Sequence, residues 1–181
     1  MVDTSIVTQE GHVSDTALTR KKFQKVLDYC TPSKILEIGF GRGDSAELFL
    51  ALDSSVEVES VDIGKYGYEQ MAGIALEAAN SRFTYTEADS NDLVASDYTD
   101  VDLIFIDGSH KADDVQHDIR WAGDAGIQYI LVDDYMDKWF EKNVKRLVDV
   151  IVDTPFPYQY VNEYVYDSSD GDCTMVLLER V

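Results

Sequence analysis

The stretch Lys34-Ile-Leu-Glu-Ile-Gly-Phe-Gly-Arg-Gly43 decides how this chain is read. An apolar run stops at a glycine-rich turn, as a buried strand does where it leaves a sheet. Gly39, Gly41 and Gly43 let the backbone turn tightly and approach a ligand closely. A helix beginning near Asp44 aims its free N–H groups at the same place. The spacing is Gly-x-Gly-x-Gly, one residue short of the dinucleotide fingerprint Gly-x-Gly-x-x-Gly. That disfavours a nicotinamide-dependent oxidoreductase. Glu37 stands two positions before the first glycine and suits a ligand carrying an ammonium group better than a pyrophosphate.

Outward from this turn, strand and helix patterns alternate. Residues 15–30 read as a helix, with Phe23, Val26, Leu27 and Cys30 on one face and Pro32 beyond its end. Strands are expected near 34–39, 56–62, 83–88, 101–106 and 129–133, and helices near 44–52, 68–80, 112–125 and 138–152. The last helix carries Phe140, Val144, Leu147, Val148 and Ile151 on one face. Two late strands, near 158–166 and 173–180, flank the turn signal Asp167-Ser-Ser-Asp-Gly-Asp172 and read as a hairpin. The alternation implies an α/β fold, a mostly parallel sheet with helices on both faces. One domain spanning 1–181 is expected, with 1–14 as a tail or lid.

In such sheets ligands sit beyond the carboxyl ends of the strands, so site residues should follow strands. After the first strand, the Ser45 hydroxyl is placed to meet a ligand carboxylate. Asp62 ends the second strand about twenty positions beyond the glycines, where an acid accepts hydrogen bonds from ribose hydroxyls. Asp89 and Ser90 end the third strand, placed for an adenine amino group and a ring nitrogen; the same pair also suits a plain helix cap. Together these groups point to S-adenosylmethionine. The fourth strand runs into Asp107-Gly-Ser-His110 and the fifth into Asp133-Asp134. Asp107 serves either the cofactor or, with Asp133 and Asp134, a hard divalent ion such as Mg²⁺ or Ca²⁺ that relieves repulsion among the carboxylates. The competing reading makes Asp133 or Asp134 a helix cap. His110 is placed for general base catalysis near neutral pH. Tyr66, Tyr68 and Tyr135 follow strand ends and are candidates for lining an acceptor pocket.

Composition narrows the partners. The net charge of -20 disfavours a nucleic-acid backbone and an anionic membrane surface. The cluster Lys138, Lys142, Lys145 and Arg146 reads as a solvated helix face. No apolar run reaches 18 residues, and the first residues lack the basic flank and apolar segment of a secretory signal. Cys30 and Cys173 lie far apart and read as free thiols in a reducing, cytoplasmic compartment.

With these residues in order, the chain resembles the Rossmann-like S-adenosylmethionine-dependent methyltransferases. More narrowly, Phe105-Ile-Asp-Gly-Ser-His110 followed by Val132-Asp-Asp134 resembles the metal-dependent small-molecule O-methyltransferases of the macrocin and cephalosporin-biosynthesis type. The resemblance implies sheet order 3-2-1-4-5-7-6 with an antiparallel last strand. It also implies Mg²⁺ on Asp107, Asp133 and Asp134, and His110 as base. The chain is short of the segments that build substrate pockets and oligomers in that group, so the acceptor and the oligomeric state do not carry over. A metal-independent N- or protein methyltransferase and a non-catalytic S-adenosylmethionine-binding protein are the competing functions. Base amino-group enzymes carry Asp/Asn-Pro-Pro-aromatic after the fourth strand, where this chain has Asp107-Gly-Ser-His110.

Overall fold

The computed structural model describes residues 13–136, 143–168 and 171–181. Among these residues five helices, α1 (Ala17–Cys30), α2 (Asp44–Leu52), α3 (Tyr68–Ala79), α4 (Ala112–Ala125) and α5 (Asn143–Val152), accompany seven strands. These are β1 (Lys34–Ile38), β2 (Glu57–Asp62), β3 (Phe83–Glu87), β4 (Leu103–Ile106), β5 (Tyr129–Val132), β6 (Tyr158–Ser168) and β7 (Gly171–Arg180). They form one sheet in the order β3-β2-β1-β4-β5-β7-β6. β1 to β5 are parallel, whereas β7 runs antiparallel to β5 and to β6. The expected Rossmann-like architecture is therefore present, down to the strand order.

Side chains alternate across the sheet. Ile35, Phe105, Leu131 and Leu177 face a core closed by Phe23 and Val26 of α1 and Leu48 and Phe49 of α2. Leu36, Ile104, Ile130 and Val176 face the other way, toward Val115 and Ile119 of α4 and Val148 and Ile151 of α5. Both faces of the central strands are thus covered, which is why β4 and β5 read as unbroken apolar runs.

Helix ends follow local chemistry. Thr16 caps α1 by accepting from the Thr19 N–H at 3.2 Å, and Thr31 closes it in a left-handed conformation ahead of Pro32. The Arg82 guanidinium donates to the carbonyls of Leu50, Asp53 and Val56, stapling the end of α2 to the start of β3. Two short 3-10 turns, Ser90–Asp92 and Ala95–Tyr98, lie in the connection between β3 and β4.

The hairpin strands run longer than expected, to Ser168 and from Gly171. The beginning of the expected 138–152 helix, with Phe140, Lys138 and Lys142, lies outside the described residues, as do residues 1–12. Val13 and Ser14 belong to the fold: Val13 bridges Ser168, and the Ser14 N–H donates to the Asp167 carbonyl. The Thr16 and Thr19 hydroxyls donate to the Asp167 side chain and carbonyl, fixing α1 to the far end of β6.

Candidate functional site

Strand register builds the site. Val61, Ile38, Ile106 and Val132 form one row across β2, β1, β4 and β5. The next residue along each strand is Asp62, Gly39, Asp107 and Asp133, so three carboxylates and one glycine share the next row. The ladder carries on into that row: the N–H groups of Gly39, Asp107 and Asp133 donate to Val61, Ile38 and Ile106. Neighbouring strands lie about 4.8 Å apart, so Asp107 and Asp133 are held side by side.

The three glycines have different reasons. A Cβ on Gly39, at φ +92°, would sit 2.2 Å from the Asp107 carbonyl oxygen and 2.6 Å from the Gly108 Cα. Gly39 is thus required by the neighbouring strand's turn. Gly43, at φ +88°, packs against the Phe40 ring. Gly41, at φ +52°, has nothing within 4 Å of its added Cβ among the described residues, so its backbone is open.

Glu37 is fully buried, with each oxygen taken by a serine. The Ser45 hydroxyl, from the first turn of α2, donates to Oε1; the Ser60 hydroxyl donates to Oε2 at 2.5 Å. Burial pushes the Glu37 carboxyl up to about 7, against the pull of the two serines. Glu37 and Ser45 thus join the end of β1 to the first turn of α2 beside the glycine turn. Ser60 pairs with Glu37 across the β1–β2 register, a neighbour invisible until the register is known.

Asp62 holds the turn by its backbone. Its Oδ2 accepts from the N–H groups of Phe40 (2.8 Å) and Gly41 (3.0 Å), and its Oδ1 from Gly64 (2.8 Å). Asp89 caps the following 3-10 turn, accepting from the Asn91 backbone and side-chain amides, which lower its pKa. The Ser90 hydroxyl lies beside the buried Asp118 of α4, whose carboxylate it helps stabilise; His117 Nδ1 stands 3.2 Å from the same carboxylate.

At the other end of the row a shallow pocket is lined by Asp107, His110, Asp133 and Asp134, with Ile106, Val115, Val132 and Val144 as its apolar wall. His110 Nδ1 is 2.5 Å from Asp134 Oδ2. Asp134 reaches it from a left-handed backbone conformation, φ 52°, that Asp tolerates better than most residues. Asp133 is buried; its Oδ2 accepts from the Tyr166 hydroxyl, and among the described residues its Oδ1 meets no hydrogen-bond donor. Burial first, then the charge of Asp133 on Asp107 and of Asp134 on Asp133, pushes both carboxyls above the ordinary carboxylate range. Among the described residues, no group of three or more His, Cys, Asp or Glu side chains is arranged to hold a metal ion.

The aromatic candidates separate. Tyr66 and Tyr68 stack at 5.7 Å at the start of α3, with the Lys65 ammonium over the Tyr66 ring. Tyr135 is a core residue, 2% exposed, so it does not line the pocket. Its hydroxyl donates to Asp149 and accepts from Lys145, whose ammonium also lies over its ring. Lys145 is thereby tied to Tyr135 and Asp149 at the helix surface, with Arg146 beside it exposed. Tyr166, which the sequence gave no reason to single out, is the donor that meets the acidic row.

Residues 36–135 match the family model described as a methyltransferase domain. No curated protein matches in sequence. Among solved structures, the O-methyltransferase from Bacillus cereus in complex with SAH superposes with a TM-score of 0.68 at 17% identity, covering 92% of this chain and 83% of that one. The O-methyltransferase TomG from Streptomyces achromogenes, in complex with SAM, gives 0.65 at 14% identity, covering 93% and 82%. The N-methyltransferase NodS from Bradyrhizobium japonicum, in complex with SAH, gives 0.62 at 14%, covering 92% and 89%. At these identities the likeness is one of fold. Among the described residues, no helix is long and apolar enough to cross a membrane.

Proposed function

This chain belongs to the methyltransferase-domain family, and on that premise we propose that it transfers a methyl group from S-adenosylmethionine to a hydroxyl of a small molecule. The observation that carries the proposal is the His110–Asp134 pair, set on the strand-end rim that also holds the glycine turn. Relatives in fold bound to SAM or SAH support the choice of cofactor.

The cofactor supplies a methyl group activated on a sulfonium. Gly41 gives it open backbone, Asp62 fixes the turn and is placed for the ribose, and Asp89 with Ser90 marks the adenine end. Glu37 and Ser45 act one layer below, holding the start of α2 where its N–H groups meet the methionine end. The acceptor enters at the pocket beside Asp107 and His110, with Val115, Val132 and Val144 keeping water from one side.

As the new O–CH₃ bond forms and the S–CH₃ bond breaks, the acceptor oxygen must give up its proton. Asp134 accepts from Nδ1 of His110, which fixes the tautomer with the basic lone pair on Nε2 and steadies the imidazolium once the proton arrives. Holding acceptor and donor in line at near-attack distance supplies much of the remaining rate.

Three carboxylates at adjacent strand ends have the donor chemistry of a hard divalent ion site, although among the described residues they are not arranged around one ion. Among the described residues Asp133 Oδ1 is a buried oxygen without a donor, and the charge of Asp133 opposes that of Asp107. A divalent ion such as Mg²⁺ would be held by Asp107, Asp133 and Asp134 and would orient the acceptor oxygen and lower its pKa. The test is methyl transfer from labelled S-adenosylmethionine to a panel of sugars and phenols, with and without EDTA. Turnover abolished by EDTA and restored by Mg²⁺ is expected. Turnover indifferent to EDTA removes the metal, and transfer only to amines removes the hydroxyl acceptor.

A further inference from the structure

We propose that Trp121 and Asp118 of α4 are positioning residues for cofactor recognition, holding the turn after β3 so that Asp89 meets the adenine amino group. The inference rests on the S-adenosylmethionine reading above and adds to it a helix that the reading leaves without a part in cofactor binding.

The turn stands beside the glycine loop. The Ala88 N–H donates to the Asp62 carbonyl at 2.9 Å, so the β2–β3 ladder carries the chain onto the rim where Asp62 holds Phe40 and Gly41. Asp89 then caps the 3-10 turn Ser90–Asp92, its Oδ1 taking the backbone and side-chain amides of Asn91 at 2.9 and 2.7 Å. That leaves Oδ2 as the oxygen for a ligand amino group. A turn of this length holds itself poorly, because 3-10 hydrogen bonds are few and badly aligned. Here the Leu93 N–H closes on the Ser90 carbonyl at 3.3 Å, and none of Ser90, Asn91 and Asp92 is buried. The place of Asp89 is therefore set by what the rest of the chain offers the turn.

That support comes from one face of α4, where Asp118 and Trp121 stand at i and i+3. The Trp121 indole N–H donates to the Leu93 carbonyl at 3.0 Å. Its ring is buried and meets Tyr98 edge to face, with centroids 5.3 Å apart, so packing fixes the donor. Asp118 is 4% exposed and lies against the Ser90 hydroxyl, with His117 Nδ1 3.2 Å from its Oδ1. Burial pushes the Asp118 carboxyl up, and Ser90 and His117 pull it back. Both ends of the turn, Ser90 and Leu93, are thus held from the same helix. A buried carboxylate is costly to keep, and here its partners lie at the turn.

Trp121→Phe removes the indole N–H and keeps an aromatic ring against Tyr98. Asp118→Asn removes the charge and keeps the size. Both variants, Asp89→Ala and the unaltered protein are titrated by calorimetry with SAH and with S-inosylhomocysteine, in which a carbonyl replaces the adenine amino group. Thermal midpoints are read on the same samples. A hydrogen bond to a charged acceptor is worth about 10-fold or more in affinity. The expected result is SAH bound at least about 10-fold more tightly than the inosyl analogue by the unaltered protein, and that preference cut below about threefold in Trp121→Phe and Asp118→Asn, as in Asp89→Ala. If the two α4 variants keep the full preference, even with both ligands weakened alike or the midpoint lowered, α4 only supports the fold and the positioning role is wrong. Loss of preference in one variant alone assigns the role to that residue and removes it from the other. If the unaltered protein binds the two ligands equally, Asp89 does not read the adenine, and the inference falls while the cofactor stands. No binding of SAH overturns both.

Discussion

Gly39→Ala should damage the fold, and Gly41→Ala, two residues away in the same turn, should chiefly damage ligand binding. At Gly39 the new Cβ would lie 2.2 Å from the Asp107 carbonyl oxygen and 2.6 Å from Gly108 Cα. Both are backbone atoms that cannot swing aside. Ordinary contact begins at 3.4 Å, so one of the two turns must retreat by roughly 1.2 Å. Overpacking of this kind costs about 1–3 kcal/mol, and a left-handed backbone adds about 1–2 kcal/mol for a residue with a Cβ. The sum is about 2–5 kcal/mol, a large share of the ~5–15 kcal/mol that holds a typical domain together. For a chain of this size that corresponds to a fall in midpoint of roughly 10 °C. At Gly41 nothing lies within 4 Å, so only the backbone strain remains, about 1–2 kcal/mol. Urea unfolding followed by circular dichroism, with calorimetric SAH titration of both variants, separates the two effects. If Gly41→Ala is as unstable as Gly39→Ala, or binds SAH normally, the division of roles within the turn is wrong.

Further outcomes follow from the same geometry. The Glu37 carboxyl is raised from 4.5 to about 7 by burial, so between those values the folded state holds its proton more tightly than the unfolded chain. The stability it contributes is present below pH 4.5 and lost as pH rises through 7. Relative to Glu37→Gln, the protein should lose on the order of 3 kcal/mol across that window in urea titrations; a gap independent of pH contradicts that shift. His110→Ala should lower turnover about 10²- to 10⁴-fold while leaving SAH affinity nearly unchanged, and a loss under threefold would remove the base role.

The fold was legible because its signals are local. The β1 run with its glycine turn, the 3.6-residue spacing of Phe23, Val26, Leu27 and Cys30, and the apolar cores of β4 and β5 each announce themselves within ten residues. The strand-end rule then put Asp62, Asp107 and Asp133 at the right height, because parallel strands in register end on one row. Orientation was less accessible. Glu37 and Gly39 stand two residues apart, and only the lateral pairing with Ser60 and the closeness of Asp107 show that one is a buried hydrogen-bonded side chain and the other a steric necessity. Tyr135 follows a strand end like a site residue yet is a core residue, its hydroxyl donating to Asp149 and accepting from Lys145 of α5. Tyr166 lies 33 residues from Asp133 along the chain. Their hydrogen bond depends on the antiparallel register of β5, β7 and β6, which no periodicity encodes.

The central claim is that the strand-end row beside Gly41 receives S-adenosylmethionine. Calorimetric titration of the full chain with SAH tests it directly, with NADH titrated in parallel. One SAH per chain with a dissociation constant in the micromolar range, and no heat from NADH, is the expected result. No binding of SAH at millimolar concentration, or tighter binding of NADH, would contradict the account at its base.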